Sequence, residues 1–375
     1  MFLLGVGLWI LGIIGCYAFL RRRYNSLASQ LSDDLRERAE QFWQWVGKQR
    51  WRLGMVVALI FAFSVVGAII ILLSLDTIWS RRLGISVFVL TILGLIFANY
   101  LAYFNFDRRF RGSSWSIGTY LRWWVMWNCW TNWMLISWLI ALEVLRQFAI
   151  SFPTTKPQPH WTVVVLTFGF GLSYIFLTKF APKLLRWEKV QDEALLSALD
   201  EMTGKANLKP MELWQLNIPG GLIPLGLATP KAIAISDFMR EQLTLDEMKA
   251  VFAHELAHLK LKHLWKRHFI LLGFLALETV ILALLPLEML ANERILVFAW
   301  LIFWLFARLM LPIWQRHELQ ADKWSAELVG DRELVARTLE KIHTLAFLPA
   351  AFPKGIKFTH HSLMQRLEIL RQQHG

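Results

Sequence analysis

The chain has 375 residues, of which 56% are hydrophobic and only 18% are charged, and its mean hydropathy is +0.41. A water-soluble fold cannot bury that much apolar surface, so the composition predicts a protein that is integrated in a membrane. The low charge excludes an intrinsically disordered chain, and the two cysteines exclude a disulfide scaffold. A net charge of +12 would suggest nucleic-acid binding in a soluble protein, but the positions of the charges argue against such a partner.

Seven apolar stretches have the length of about 20 residues that a helix needs to cross a bilayer. They cover residues 2–20, 55–75, 84–106, 123–145, 160–180, 269–290 and 295–313. The segments on one side of these stretches hold 34 of the 40 lysines and arginines. Because basic segments stay on the cytoplasmic side, the pattern predicts an outer N-terminus and a cytoplasmic C-terminus. We expect a multi-pass protein of a bacterial inner membrane or of the ER membrane.

The chain divides near residue 180 into two predicted parts. Residues 1–180 contain five spans and a cytoplasmic amphipathic segment at 21–54, which we expect to lie along the membrane surface. Residues 181–375 contain the spans 269–290 and 295–313 and a cytoplasmic module in which short strands and amphipathic helices follow one another. The predicted fold class is therefore a mainly α, polytopic membrane protein with a small cytoplasmic α+β module.

Local signals predict the elements of this module. Thr244 and Glu247 have the spacing of a capping box, which predicts a helix that begins there and runs to about His268 without a breaker before the sixth span. Gly330 is predicted to end a helix at 315–329. The other predicted elements are a helix at 188–204, strands at 211–218 and 231–236, and helices at 331–345 and 361–373.

The capped helix carries the string His254-Glu255-Leu256-Ala257-His258. Histidines at positions i and i+4 lie one turn apart on one helix face, so both imidazoles can reach a single Zn²⁺. Glu255 beside them can accept a proton from the attacking water as a general base. Random placement would give this string in roughly one chain per hundred of like composition, so buried histidines without a metal are the weaker reading.

A catalytic zinc needs a third protein ligand, and Glu318 is the candidate. It follows the seventh span directly, and Asp322 stands one helical turn further on. One helix can thus offer both a ligand and a carboxylate that holds a ligand histidine. Seen alone, the segment would be interpreted as a solvated charged face. Both strings fall on the same predicted side of the membrane at the ends of adjacent spans, which favours one shared zinc site per chain.

Together these strings resemble the integral-membrane zinc metallopeptidases that include the bacterial heat-shock protease HtpX and the CAAX prenyl-protein endopeptidase. The resemblance covers about residues 190–370. It includes the strand ending at 233–236 and a C-terminal element at 360–366, which is similar to the family's His-Pro-Ser-x-x-x-Arg pattern. The family also has two spans between the two segments that supply the zinc ligands, as this sequence does.

The resemblance implies a zincin-like module of the gluzincin type. The zinc ligands that it implies are His254, His258 and Glu318. Glu255 would be the general base, and Asp322 would support a ligand from behind. His360 and Arg366 of the C-terminal element would act near the substrate.

Two departures from the family pattern concern substrate binding. The family's Asn-Ala-Phe-Ala-type edge strand is replaced by the stretch 221–224, in which Pro224 would remove a hydrogen-bond donor. His361 takes the position of the family's proline.

The predicted function is a membrane-bound zinc metalloendopeptidase that hydrolyses peptide bonds of membrane or membrane-associated proteins at the cytoplasmic face. Two alternatives remain open at this point. A metallopeptidase-like sensor or signal transducer would need a large outer ligand-binding domain, whereas the predicted outer loops are short. A catalytically silent scaffold would keep every residue named above, so the sequence does not separate it from an enzyme.

Overall fold

The computed structural model describes residues 1–73, 77–131, 187–284, 293–353 and 361–371. In this part of the chain the N-terminal helices are α1 (Phe2–Ala28), α2 (Leu35–Leu73), α3 (Thr77–Arg111) and α4 (Ile117–Thr131). The elements that follow are β1 (Trp187–Lys189), α5 (Glu193–Lys205), β2 (Glu212–Leu216), β3 (Gly226–Ala228), β4 (Ala232–Ser236), α6 (Asp237–Gln242), α7 (Leu245–Lys260), α8 (His263–Ala283), α9 (Glu293–Val329), α10 (Arg332–Leu345) and α11 (Leu363–Arg371). The predicted mainly α architecture with a small α+β module is confirmed.

The spans are described only in part. Within the described residues, α1 is the one helix whose length and composition suit a membrane crossing. The fifth predicted span and most of the fourth lie outside the described residues. The number of seven spans therefore stays a prediction.

The four strands form one sheet in the order β1-β2-β4-β3. β2 and β4 pair in parallel, and the two outer strands pair antiparallel to their neighbours. β2 and β4 are the strands that the sequence predicted. The prediction of an edge strand at 221–224 is wrong. The edge strand in this region is β3, which begins two residues after Pro224. The proline thus removes no donor from this strand.

One face of the sheet carries the core that holds α7 in place. β4 is buried along its whole length, as its apolar sequence requires. Ile233 and Ile235 lie in one cluster with Phe252 and Leu256 of α7, and all four are fully buried. Burial of side chains of this size contributes about 1.5–3 kcal/mol each. This core therefore fixes the helix that carries the two candidate histidine ligands.

The other face of the sheet packs against the ends of α3 and α4. Ala234 of β4 lies in an aromatic cluster with Trp115, Tyr120 and Trp187. The backbone N–H of Ser114 also donates to the carbonyl of Gly220 at 3.1 Å. The sheet is thus enclosed between α7 on one side and the N-terminal helices on the other.

Residues 21–54 do not form a separate surface helix. They comprise the end of α1, a short connection and the first half of α2. This half of α2 contacts the loop at 346–353, and we call this the α2–loop contact. Glu40 Oε1 accepts from the Ala350 N–H at 2.9 Å, and Trp43 Nε1 donates to the Phe347 carbonyl at 2.8 Å. Gly47 faces Pro353 so closely that an added Cβ would lie 2.8 Å from the proline ring.

The helix that was predicted to run to about His268 is interrupted. α7 ends at Lys260, and Lys262 takes a φ of +57°, in the left-handed region. This conformation costs a residue with a side chain roughly 1–2 kcal/mol, and no glycine or proline marks it in the sequence. The chain turns there and resumes as α8 at His263. By contrast, Gly330 ends α9 as predicted, with a φ of +79°.

Candidate metal centre

The capping box predicted at the start of α7 is present. Glu247 Oε2 accepts from the Thr244 N–H at 2.7 Å, and the Thr244 hydroxyl accepts from the Glu247 N–H at 3.3 Å. Lys341 of α10 donates to the same carboxylate at 2.7 Å. The helix start is therefore fixed both locally and against α10, three turns before the candidate ligands.

His254, His258 and Glu318 converge at one point, although Glu318 comes from α9. Their donor atoms all lie within 4.8 Å of one another. The Nε2 atoms of the two histidines are 3.3 Å apart, and each lies 3.5 to 3.7 Å from a Glu318 oxygen. Tetrahedral zinc with bonds of about 2.0–2.2 Å places its ligand atoms about 3.3–3.6 Å apart. The two nitrogens and one carboxylate therefore fit a zinc ion in spacing and in chemistry.

Without a metal ion, the two histidines differ in charge. Burial lowers the pKa of His254, but the carboxylates of Asp322 and Glu318 outweigh burial and raise it to about 10. Burial, followed by repulsion from His254, lowers the pKa of His258 to about 3. His258 is thus neutral at physiological pH, which is the form that binds a metal.

Asp322 lies behind His254 and is itself held by Arg366. The Asp322 Oδ1 atom is 3.1 Å from His254 Nδ1, so it accepts a hydrogen bond on the side away from the ligand atoms. Arg366 binds both Asp322 oxygens at 2.6 Å. Burial raises the pKa of Asp322, but Arg366 and His254 together lower it to about 2. The resemblance implied that Arg366 acts near the substrate. In the structure Arg366 is buried in this ion pair, which favours a role in holding Asp322 in position.

Glu255 is half-buried and its carboxylate faces the edge strand. A Cβ added at Gly226 would lie 2.9 Å from Glu255 Oε1, so the glycine leaves room for this carboxylate. On the side that faces β4, the Leu225 carbonyl accepts from the Ser236 N–H, and the Thr229 N–H donates to the Ala232 carbonyl. Because these bonds alternate along an antiparallel strand, the backbone groups of residues 226 and 228 point away from β4. Among the described residues no strand pairs with this side of β3, which therefore offers an open edge beside Glu255.

The C-terminal element is only partly described. His360 lies outside the described residues. His361 has its Nδ1 atom 3.3 Å from Gln365 Oε1, and Ser362 donates to the same oxygen through its N–H. His361 thus lies at the start of α11, where the family has its proline.

Three residues near the ligands were not anticipated from the sequence. Arg267 Nη2 donates to Glu318 Oε1 at 3.0 Å. His263 Nδ1 is 3.1 Å from His258 Nδ1, and Gln320 accepts at the far side of the His263 ring. His263 follows His258 by five residues, and in a continuous helix this spacing would point the two side chains in different directions. The turn at Lys262 brings His263 back beside His258.

Part of the chain, and its fold, are similar to known proteins. Residues 224–374 match the model of Peptidase family M48. The fold of the chain is similar to that in the crystal structure of Ste24p from S. mikatae, with a TM-score of 0.60, 15% sequence identity and 98% of each chain covered. No curated protein sequence matches the chain. The family resemblance predicted from the motifs is therefore confirmed.

Proposed function

We propose that the protein is a membrane-bound zinc metalloendopeptidase, with one zinc ion per chain, that cleaves membrane or membrane-associated proteins at the cytoplasmic face. The convergence of His254, His258 and Glu318, with Glu255 beside them, is the observation that carries this proposal. The match to the M48 family supports the metalloprotease class. The similarity to the Ste24p fold and the apolar helix α1 support the membrane setting.

In this proposal each part of the site has a separate role in peptide hydrolysis. Bound zinc supplies Lewis-acid activation of the scissile carbonyl and of water. Glu255 accepts the proton of the attacking water and later delivers it to the leaving amine. The open edge of β3 aligns the substrate backbone as an added strand next to Glu255. His360 donates to the oxygen that becomes negative in the transition state.

The packing of the basic segments supports their placement on one side of the membrane. The first half of α2 contacts the loop at 346–353, and residues 114 and 115 contact the sheet and the loop that follows β2. Segments that were assigned to the cytoplasm by their charge thus pack on the same domain. This grouping, together with the charge bias, supports an outer N-terminus and a cytoplasmic site.

The metal assignment predicts that the purified chain contains about one zinc ion, as a three-ligand site requires. Glu318→Ala should lose most of this zinc, because two histidines alone leave the ion weakly held. Glu327→Ala is the matched control, since Glu327 is an exposed glutamate of the same helix. Metal analysis of the purified proteins measures the content. Full occupancy in Glu318→Ala would remove this residue from the ligand set.

The orientation predicts a labelling pattern on intact cells. Cysteines are introduced singly at 156, 205 and 355 after both native cysteines have been replaced by alanine. A membrane-impermeant thiol reagent should modify the cysteine at 156 and spare those at 205 and 355. Modification at 205 from outside would place the peptidase domain on the other face.

A further inference from the structure

A hydrogen-bonded chain runs from the metal centre through three side chains that we call the histidine relay: His258, His263 and Gln320. His258 Nδ1 lies 3.1 Å from His263 Nδ1. On the other side of its ring, His263 Nε2 lies 3.0 Å from Gln320 Oε1. The relay leads from a candidate ligand to an exposed amide on α9.

The contacts of the relay permit only one arrangement of protons in a metal-binding site. His258 Nε2 is the atom that faces His254 and Glu318, so its lone pair must be free for the metal. The ring proton of neutral His258 then sits on Nδ1 and is donated to His263 Nδ1. His263 in turn carries its proton on Nε2 and donates it to the Gln320 oxygen. In the reverse arrangement His258 would carry its proton on Nε2 and could not bind a metal.

The surroundings of His263 hold its ring in this orientation. The residue is fully buried, and its ring stacks on that of His317 with centroids 4.2 Å apart and planes 10° apart. The turn at Lys262 sets the position of the backbone. The two ligand histidines are therefore supported differently. His254 donates to the carboxylate of Asp322, whereas His258 donates to the neutral imidazole of His263.

We propose that His263 is a positioning residue that holds His258 in the tautomer able to bind zinc, with Gln320 as the terminal acceptor. The proposal rests on the proposed function, because it assigns a role toward the zinc ion. Partners of this kind fix the orientation and basicity of a ligand, and their loss typically weakens metal affinity 10- to 100-fold.

The test measures zinc affinity of the full chain in detergent by competition with a chelating dye. His263→Phe keeps a ring that can stack on His317 but provides no acceptor, and it should weaken zinc binding 10- to 100-fold. His263→Asn places an amide oxygen where Nδ1 stood, so it should restore affinity to within a fewfold of the wild type. If His263 only packed against His317, His263→Phe would keep zinc affinity better than His263→Asn.

Two further variants complete the test. Gln320→Leu changes an exposed residue without risk to folding, and it should weaken zinc binding about fivefold, the value of one hydrogen bond. His317→Phe keeps the stacked ring and should bind zinc within about twofold of the wild type.

The outcomes separate this inference from the proposed function. If His263→Phe binds zinc as tightly as the wild type, or if His263→Asn is no better than His263→Phe, the relay has no role in binding. Wild-type protein that binds no zinc would instead overturn the proposed function, and the inference with it.

Discussion

Glu255→Gln is expected to lower kcat for peptide hydrolysis by about 10²- to 10⁴-fold while the protein keeps its zinc. The amide has nearly the shape of the carboxylate but cannot accept the proton of the attacking water. Glu255 faces the open strand edge and is not one of the three converging donors, so its loss should not release the metal. Metal analysis and hydrolysis of a fluorogenic peptide measure the two quantities on one preparation.

The control for this variant is Glu241→Gln, which changes an exposed glutamate of α6 and should leave the rate unchanged. An active Glu255→Gln protein would exclude Glu255 as the base. Wild-type protein that holds zinc but cleaves no peptide would favour the silent scaffold over the enzyme.

Asp322→Ala is expected to reduce the free energy of unfolding by about 3–5 kcal/mol, because it leaves the buried Arg366 without its counter-ion. The exposed fraction of the Arg366 side chain is 8% and that of Asp322 is 3%, so water cannot replace the lost partner. Chemical unfolding of the full chain in detergent measures the change. Glu333→Ala is the control, since Glu333 faces Arg371 with both side chains more than half exposed, and should change stability by less than about 0.5 kcal/mol.

The double variant Asp322→Leu/Arg366→Met separates stability from metal binding. It removes both buried charges, so most of the stability should return. His254 still lacks its acceptor, and zinc affinity should therefore stay 10- to 100-fold weaker than in the wild type. If affinity returned together with stability, Asp322 would have no role in orienting His254.

The features that could be predicted from the sequence are those with a local signal. The capping box at Thr244, the apolar strand β4 and the stop at Gly330 each depend on a few neighbouring residues, and all three are present. The i, i+4 spacing of His254 and His258 also places them on one helix face, as the structure has them.

The features that were missed depend on tertiary contacts. β1 and β3 have only three residues each, and their pairing with β2 and β4 defines them more than their own sequence does. The turn at Lys262 has no glycine or proline to announce it, so His263 could not be placed beside His258. The burial of Arg366 follows from the distance between α11 and α9 in the fold, which no spacing along the chain gives.

The α2–loop contact has a consequence for biosynthesis. Its two hydrogen bonds join residues that are 304 and 310 positions apart in the chain. At translation rates of about 5–20 residues per second, α2 emerges roughly 15–60 s before the loop that it holds. Arg366 follows that loop, so Asp322 gains its counter-ion only after the loop has been synthesised. A nascent chain thus has an incomplete peptidase site until α11, which carries Arg366, has been synthesised and packs on α9.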